Sequence, residues 1–195
     1  MTPAEGEYLV KLARRAINSR FSGEEVSRIS SQRFRQKSGV FVSLHKRGEL
    51  RGCIGFPEAI YHLEDAIVKA AIAAAFEDPR FPPLSREELP LIQIEISILT
   101  KPKLISVNEP KEYLSNIKIG RDGLIIKSKF GSGLLLPQVA LEYNWTVREF
   151  LNNLCRKAML PANAWETKEI KIYSFQAQIF AEQGNKVVEL SNPFK

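Results

Sequence analysis

The chain has 195 residues, 44% hydrophobic and 26% charged, with 28 Lys and Arg against 22 Asp and Glu for a net charge of +6. That is ordinary globular composition, long enough to bury roughly 70% of the surface of the unfolded chain, so it argues against disorder over most of the chain and against any need for a metal or disulfide to fold. No apolar run approaches the roughly 18 residues of a membrane helix. The opening Met1-Thr2-Pro3-Ala4-Glu5 lacks the pattern of a secretory signal, so a cytoplasmic protein with no membrane among its partners is expected.

In chain order, Thr2-Pro3-Ala4-Glu5 is a capping box with proline at the first helical position. Leu9, Leu12, Ala13, Ala16 and Ile17 then follow at helical spacing. Residues 20–38 are polar and basic, a long loop or short helix anchored by Phe21 and Phe34. Val40–Leu44 predicts a strand, His45–Glu49 a turn, and Leu50–Ile54 a returning strand ended by Gly55-Phe56-Pro57. Leu63, Ala66, Ile67, Ala70, Ala71 and Ala74 predict a second helix, stopped by Asp78-Pro79-Arg80-Phe81-Pro82-Pro83. Ser85-Arg86-Glu87-Glu88 repeats the capping-box pattern. Ile92, Ile94, Ile96 and Ile98 alternate with polar residues as a half-buried strand does.

Further on, Pro110–Ile117 predicts a short helix, Asp122-Gly123 a tight hairpin, and Gly131-Ser132-Gly133 a second hairpin leading into Leu134–Leu136, which Pro137 breaks. Thr146-Val147-Arg148-Glu149 caps a helix whose stripe is Phe150, Leu151, Leu154, Cys155 and Ala158. Trp165 anchors the next loop, and Ile170–Ala181 predicts one strand with a bulge between Ile172 and Tyr173. After Glu182 a polar tail, ordered only in part, is expected. The hairpins imply antiparallel pairing, so the fold class is α+β, a mainly antiparallel sheet flanked by helices, and no internal repeat or linker divides residues 1–195.

Candidate chemistry concentrates in Leu50-Arg51-Gly52-Cys53-Ile54-Gly55, where a thiol sits between two glycines beside an arginine. Arginine next to a cysteine favours the reactive thiolate, and glycines let a ligand approach. The same residues equally describe a small buried thiol in a closely packed strand, and spacing alone favours that structural reading. Asp78 with Arg80 reads either as an anion clamp or as a loop-internal ion pair. Gln138, Glu142 and Trp145 place polar groups and an aromatic face near a helix start, though Trp145 before a capped helix reads better as a hydrophobic staple. Cys155 lies on an apolar stripe, and His45 and His62 have no partner at a ligand spacing, so no metal or cofactor is specified. Phosphate-binding, dinucleotide, serine-hydrolase and zinc-protease signatures are missing. The basic clusters Arg33-Phe34-Arg35-Gln36-Lys37 and His45-Lys46-Arg47 are of a kind that touches phosphates, but they match no named nucleic-acid module.

These motifs together resemble the AMMECR family, named for a chromosomal region tied to Alport syndrome with midface hypoplasia and elliptocytosis. The hallmark hexapeptide is Leu50–Gly55, supported by Asp78–Pro83, Gly120-Arg121-Asp122-Gly123-Leu124, Gly133-Leu134-Leu135-Leu136-Pro137-Gln138, Trp145, Phe150-Leu151 through Cys155, Lys157-Ala158 and Leu160-Pro161. Met159 is a departure, since the resemblance leads to glycine after Lys157-Ala158. The resemblance implies a stand-alone archaeal or bacterial-type member with a larger lobe, a smaller lobe and a cleft between them. It implies prokaryotic partners that are Memo-like and radical-SAM proteins, but brings no established activity. Three readings follow. One is an enzyme or accessory subunit working through Cys53 in a cleft with Arg51, Gly52, Ile54, Gly55, Asp78, Arg80, Gln138, Glu142, Trp145 and Cys155. The others are a nucleic-acid or nucleotide binding module, favoured by the +6 charge, and a non-catalytic docking scaffold.

Overall fold

The first turn of the chain adopts the geometry its capping residues predict. In the computed structural model, which describes residues 1–29 and 31–190, helix α1 spans Pro3–Ser22. The Thr2 hydroxyl accepts from the Glu5 amide and the Glu5 carboxylate accepts from the Thr2 amide, so two orphan donors are satisfied at once. Leu9, Leu12, Ala13, Ala16 and Ile17 are fully buried, as their spacing requires. Beyond α1 the chain makes one tight helical turn at Gln32–Arg35, whose Phe34 stacks on Tyr8 with ring centroids 5.1 Å apart; Phe21 meets Phe76 at 5.5 Å.

Strands β1 (Val40–Lys46) and β2 (Glu49–Phe56) form a hairpin closed by Arg47 and Gly48 alone. Both turn residues have positive φ, 55° and 85°, the geometry that matches the twist of the flanking strands. The turn is therefore narrower than the five residues the polar run predicts. Leu44 stands opposite Gly52 and His45 opposite Leu50, which leaves Arg51 as the extra residue of a bulge. Helix α2 (Leu63–Phe76) packs a face of buried alanines against α1 and against β1 and β2. Strand β3 (Ile92–Leu99) pairs antiparallel with β1, with Ile94 and Ile96 fully buried.

The chain divides into two compact units: Met1–Leu99 with the segment that begins at Gln178, and Thr100–Ala177. The first unit holds a five-stranded sheet ordered β2-β1-β3-β8-β9, where β8 is Ala177–Gln183 and β9 is Lys186–Leu190. Arg14 of α1 ties this unit together, donating to the carbonyls of Leu89 and Ile92 at 2.8 Å each and pairing with Glu182 on β8. The second unit contains β4 (Lys103–Leu104), α3 (Tyr113–Asn116), β5 (Gly123–Lys127), β6 (Ser132–Leu135), α4 (Pro137–Glu142), α5 (Val147–Lys157) and β7 (Lys171–Phe175). Its sheet is ordered β4-β7-β5-β6, and Phe150, Leu151, Leu154 and Trp165 fill its core. The pairings of β1 with β2 and β3, of β7 with β4 and β5, of β5 with β6 and of β8 with β9 are antiparallel, so the fold is α+β, as the hairpins indicate.

Two sequence expectations are corrected, and two elements are added to the sequence reading. Asp122-Gly123 is not a hairpin: the Asp122 carboxylate accepts the Lys118 amide at 2.9 Å, closing a turn that delivers the chain from α3 into β5. Ile170–Ala181 is not one bulged strand: β7 and β8 are separated at Gln176 and belong to different sheets. The polar stretch after Glu182 pairs as β9 with β8 up to Leu190, and the rest of the expected tail lies outside the described residues. Pro137 ends β6 but also opens α4, a helix the sequence reading omits.

Helix α5 ends in a double hydrogen-bonded cap. The Leu160 amide donates to the Cys155 carbonyl at 3.0 Å and the Met159 amide to the Arg156 carbonyl at 2.9 Å. This cap requires the left-handed conformation at Met159, whose φ is 62°. A side chain there is strained by about 1 kcal/mol, which gives the expected glycine its physical reason. Met159→Gly is therefore expected to stabilise the protein by about 1 kcal/mol, read as a rise in the urea midpoint at unchanged m-value.

Candidate functional site

The hexapeptide lies on β2, one of the two edge strands of the first sheet. An edge strand exposes peptide groups that must find partners other than a neighbouring strand. At Cys53 those partners come from the loop after α2. The Cys53 amide donates to Asp78 Oδ2 at 2.8 Å, and Arg80 Nη2 donates to the Cys53 carbonyl at 3.1 Å. Asp78 and Arg80 are themselves joined by two side-chain hydrogen bonds of 2.9 and 2.7 Å, and the Arg80 amide donates to Asp78 Oδ1 at 3.1 Å. The ion pair thus takes the place of a short neighbouring strand. Asp78 is 4% exposed, whereas the Arg80 side chain is 53% exposed. Arg80, together with the amides it and Cys53 supply, holds the Asp78 carboxyl at about 2.

The bulge turns Arg51 toward a second carboxylate. Arg51 Nε and Nη2 donate to Glu88 Oε1 and Oε2, both at 3.0 Å, and Nη2 also reaches the Pro82 carbonyl at 2.9 Å. Lys46 Nζ adds a contact to Glu88 Oε1 at 2.9 Å, and the Ser85 amide donates to Oε2 at 3.1 Å. Arg51 first, then Lys46 and the Ser85 amide, bring the Glu88 carboxyl down to about 2. The Phe81 ring lies beneath both guanidiniums, 5.9 Å from Arg51 and 5.4 Å from Arg80. Two ion pairs and one aromatic ring therefore bind the Asp78–Glu88 loop to the hexapeptide.

The glycines of the hexapeptide serve packing. A methyl group on Gly52 would run into the Ala74 carbonyl oxygen of α2, and one on Gly55 into the Val40 carbonyl and the Phe41 ring. The alanine face of α2 and Gly52 are thus two halves of one close approach. Ser43, opposite Cys53 on β1, donates its hydroxyl to the Cys53 sulfur at 3.2 Å. Burial pushes the Cys53 thiol up; the Ser43 hydrogen bond and Arg80 oppose this, while Glu95 and Asp78 reinforce it. Arg51, two residues before the thiol, points to Glu88 instead of the sulfur, so the expectation that Arg51 favours the thiolate is corrected.

Of the predicted site residues, Arg51, Gly52, Cys53, Ile54, Gly55, Asp78 and Arg80 come together in the first unit. Gln138, Glu142, Trp145 and Cys155 belong to the second. Trp145 immediately precedes the Thr146 cap of α5, stacks on Tyr143 with centroids 5.0 Å apart and packs toward Phe150 at 6.5 Å. That is the hydrophobic staple. Cys155 is fully buried in the core of its unit, where burial raises its thiol pKa. Gln138 is half-buried and Glu142 exposed on α4. Glu88 and Ser43 are partners the sequence reading overlooks; the capping box at Ser85 marks Glu88, but only as a helix cap. Among the described residues no group of three or more His, Cys, Asp or Glu side chains is placed to hold a metal ion, and no helix is long and apolar enough to cross a membrane.

Comparison with known proteins gives this geometry its context. The family described as AMMECR1 matches residues 10–180. Protein MJ0810 of Methanocaldococcus jannaschii is 52% identical over 185 residues, 93% of this chain and 92% of that protein. Protein MK0488 of Methanopyrus kandleri is 50% identical over 188 residues, 94% of this chain and 91% of its own. Among solved structures, the crystal structure of uncharacterized protein PH0010 from Pyrococcus horikoshii superposes with a TM-score of 0.92 at 43% identity, covering 97% of this chain and 98% of that one.

Asp78 and Glu88 both titrate lower in the folded chain than when unfolded. Their ion pairs therefore contribute in full above the ordinary carboxylate range, and the contribution is lost as pH falls toward about 2. Allowing for solvent screening at the exposed Arg80, each is worth on the order of 1 kcal/mol. Urea titrations between pH 7 and pH 2.5 are expected to show that loss, and Asp78→Asn should flatten its share of the slope. Gly52→Ala should cost about 3 kcal/mol through the collision with α2, measured by the same titration at neutral pH.

Proposed function

The chain belongs to the AMMECR1 family, and from that premise and the hexapeptide geometry we propose that it acts as an accessory subunit that docks to a partner enzyme, not as a catalyst through Cys53. One observation carries this reading: both peptide groups of Cys53 are engaged by Asp78 and Arg80, and its thiol is held protonated by burial. A nucleophilic cysteine needs the opposite, a lowered pKa beside a base or a free cation. The nearest cation, Arg80, is already committed to Asp78. The family hexapeptide reads as the brace that fixes the β2 edge and the Asp78–Glu88 loop, so that the exposed part of Arg80 is presented in one orientation.

The partner class favoured by the family resemblance is a Memo-like or radical-SAM protein. Arg80 suits a docking role because its guanidinium is oriented by Asp78, yet its side chain is 53% exposed. Nucleic-acid binding has weaker support. In the two basic clusters that suggest it from sequence, Arg33 pairs with Glu5 and Lys46 with Glu88.

Pulsed alkylation with mass-spectrometric readout is expected to label Cys53 at least about tenfold more slowly than a model thiol at pH 7.5, in keeping with a raised pKa. In parallel, titration calorimetry against a Memo-like protein from the same cell should give a complex that Arg80→Ala weakens and Cys53→Ala leaves intact. Rapid labelling with a depressed apparent pKa would return the site to catalysis, and no complex with either partner class would sink the docking role.

A further inference from the structure

The two most exposed large hydrophobic side chains among the described residues are Met159, at 91%, and Phe130, at 74%. Each lies one residue from a close backbone approach. Phe130 sits in the loop joining β5 to β6, next to Gly131, where an added methyl group would strike the Ala158 carbonyl; Gly133 makes a similar close approach to Ala158. Met159 follows Ala158 directly, at the cap of α5. The hairpin loop and the helix end therefore abut, and each presents one bare apolar side chain to solvent.

The surroundings are basic. Residues 128–133 and 152–160 carry Lys129, Arg156 and Lys157 and no Asp or Glu. All three cationic side chains are exposed, and Lys129 Nζ lies 4.9 Å from the Phe130 ring centroid. Met159 also departs from the local backbone preference, since a non-glycine residue in the left-handed region is strained and nothing in the core holds its side chain. An exposed apolar residue kept in a strained position has no folding rationale, which directs attention to what it touches.

We propose that this patch is a contact site for an anionic lipid surface. Two side chains projecting from turns offer far less than the roughly 800 Å² per partner of a stable protein interface. A lipid interface needs no shape match: Phe130 and Met159 enter the headgroup boundary while Lys129, Arg156 and Lys157 meet the phosphates. The contact is peripheral and reversible, not a span. It departs from the sequence expectation that no membrane is involved.

The test is co-sedimentation of the full chain with phosphatidylglycerol vesicles and, separately, with phosphatidylcholine vesicles. Wild-type protein is expected to bind the anionic vesicles at low salt, to be released at high salt, and not to bind the zwitterionic ones. Phe130→Ser and Met159→Gly should each lower the bound fraction about fivefold, as expected when one inserted side chain is lost. Met159→Gly is informative because it should fold at least as stably as the wild type, so its loss of binding is not a loss of structure. Absence of binding to phosphatidylglycerol vesicles overturns the proposal and leaves an acidic protein partner as the occupant. Unchanged binding by the Phe130→Ser, Met159→Gly double variant also overturns it, by showing that charge alone holds the vesicle.

Discussion

Among the described residues strand β2 has no neighbouring strand on its outer side, and Cys53 carries an amide and a carbonyl that face that side. Buried peptide groups left unpaired cost about 1–3 kcal/mol each, so the edge has to be closed. The closure here is a carboxylate and a guanidinium from one short loop. Their partnership forces the loop to stay against the strand, and the same loop supplies Glu88, which captures Arg51. Gly52 then permits α2 to lie close enough for the loop, which leaves from the end of α2, to reach the edge at all. The thiol that first draws attention sits within this arrangement as a small, half-buried side chain.

This explains why local chemistry was readable from sequence and the site was not. Capping boxes at Thr2 and Thr146, the alternating isoleucines of β3 and the alanine stripe of α2 depend on residues a few positions apart, and each appears where its spacing puts it. The partnership of Arg51 with Glu88 depends on a bulge, and a bulge depends on the register of two strands. No short pattern encodes that register. The reading of Arg51 as a neighbour that activates Cys53 fails for this reason: residues two apart in an unbroken strand share a face, but the bulge at Arg51 turns its side chain to Glu88 instead. The Asp78–Arg80 pair was legible because its members lie two residues apart, but its target, the backbone of Cys53, was not.

The second unit shows the same division. Its staple, Trp145 against Phe150, and its cap at Thr146 follow from spacing. The break at Gln176 does not, because a change of sheet and a bulge both interrupt the apolar alternation, and only the pairing partners tell them apart. Met159 is the reverse case. Resemblance alone marked the position as unusual, and the left-handed φ of 62° supplies the cause.

The first unit is interrupted in the chain. Strands β1, β2 and β3 and both its long helices are made before Thr100, while β8 and β9 come only after β7 of the second unit. During vectorial synthesis the early segments leave the ribosome with one side of β3 unpaired and with Gly6 of α1 lacking the Phe180 ring that packs on it. The second unit, by contrast, is among the described residues one continuous segment, and its sheet closes when β7 pairs with β4 and β5, before β8 is made. The order of completion is thus the reverse of the order of appearance: the half that begins first finishes last, and until then it depends on whatever holds its open sheet edge in solution.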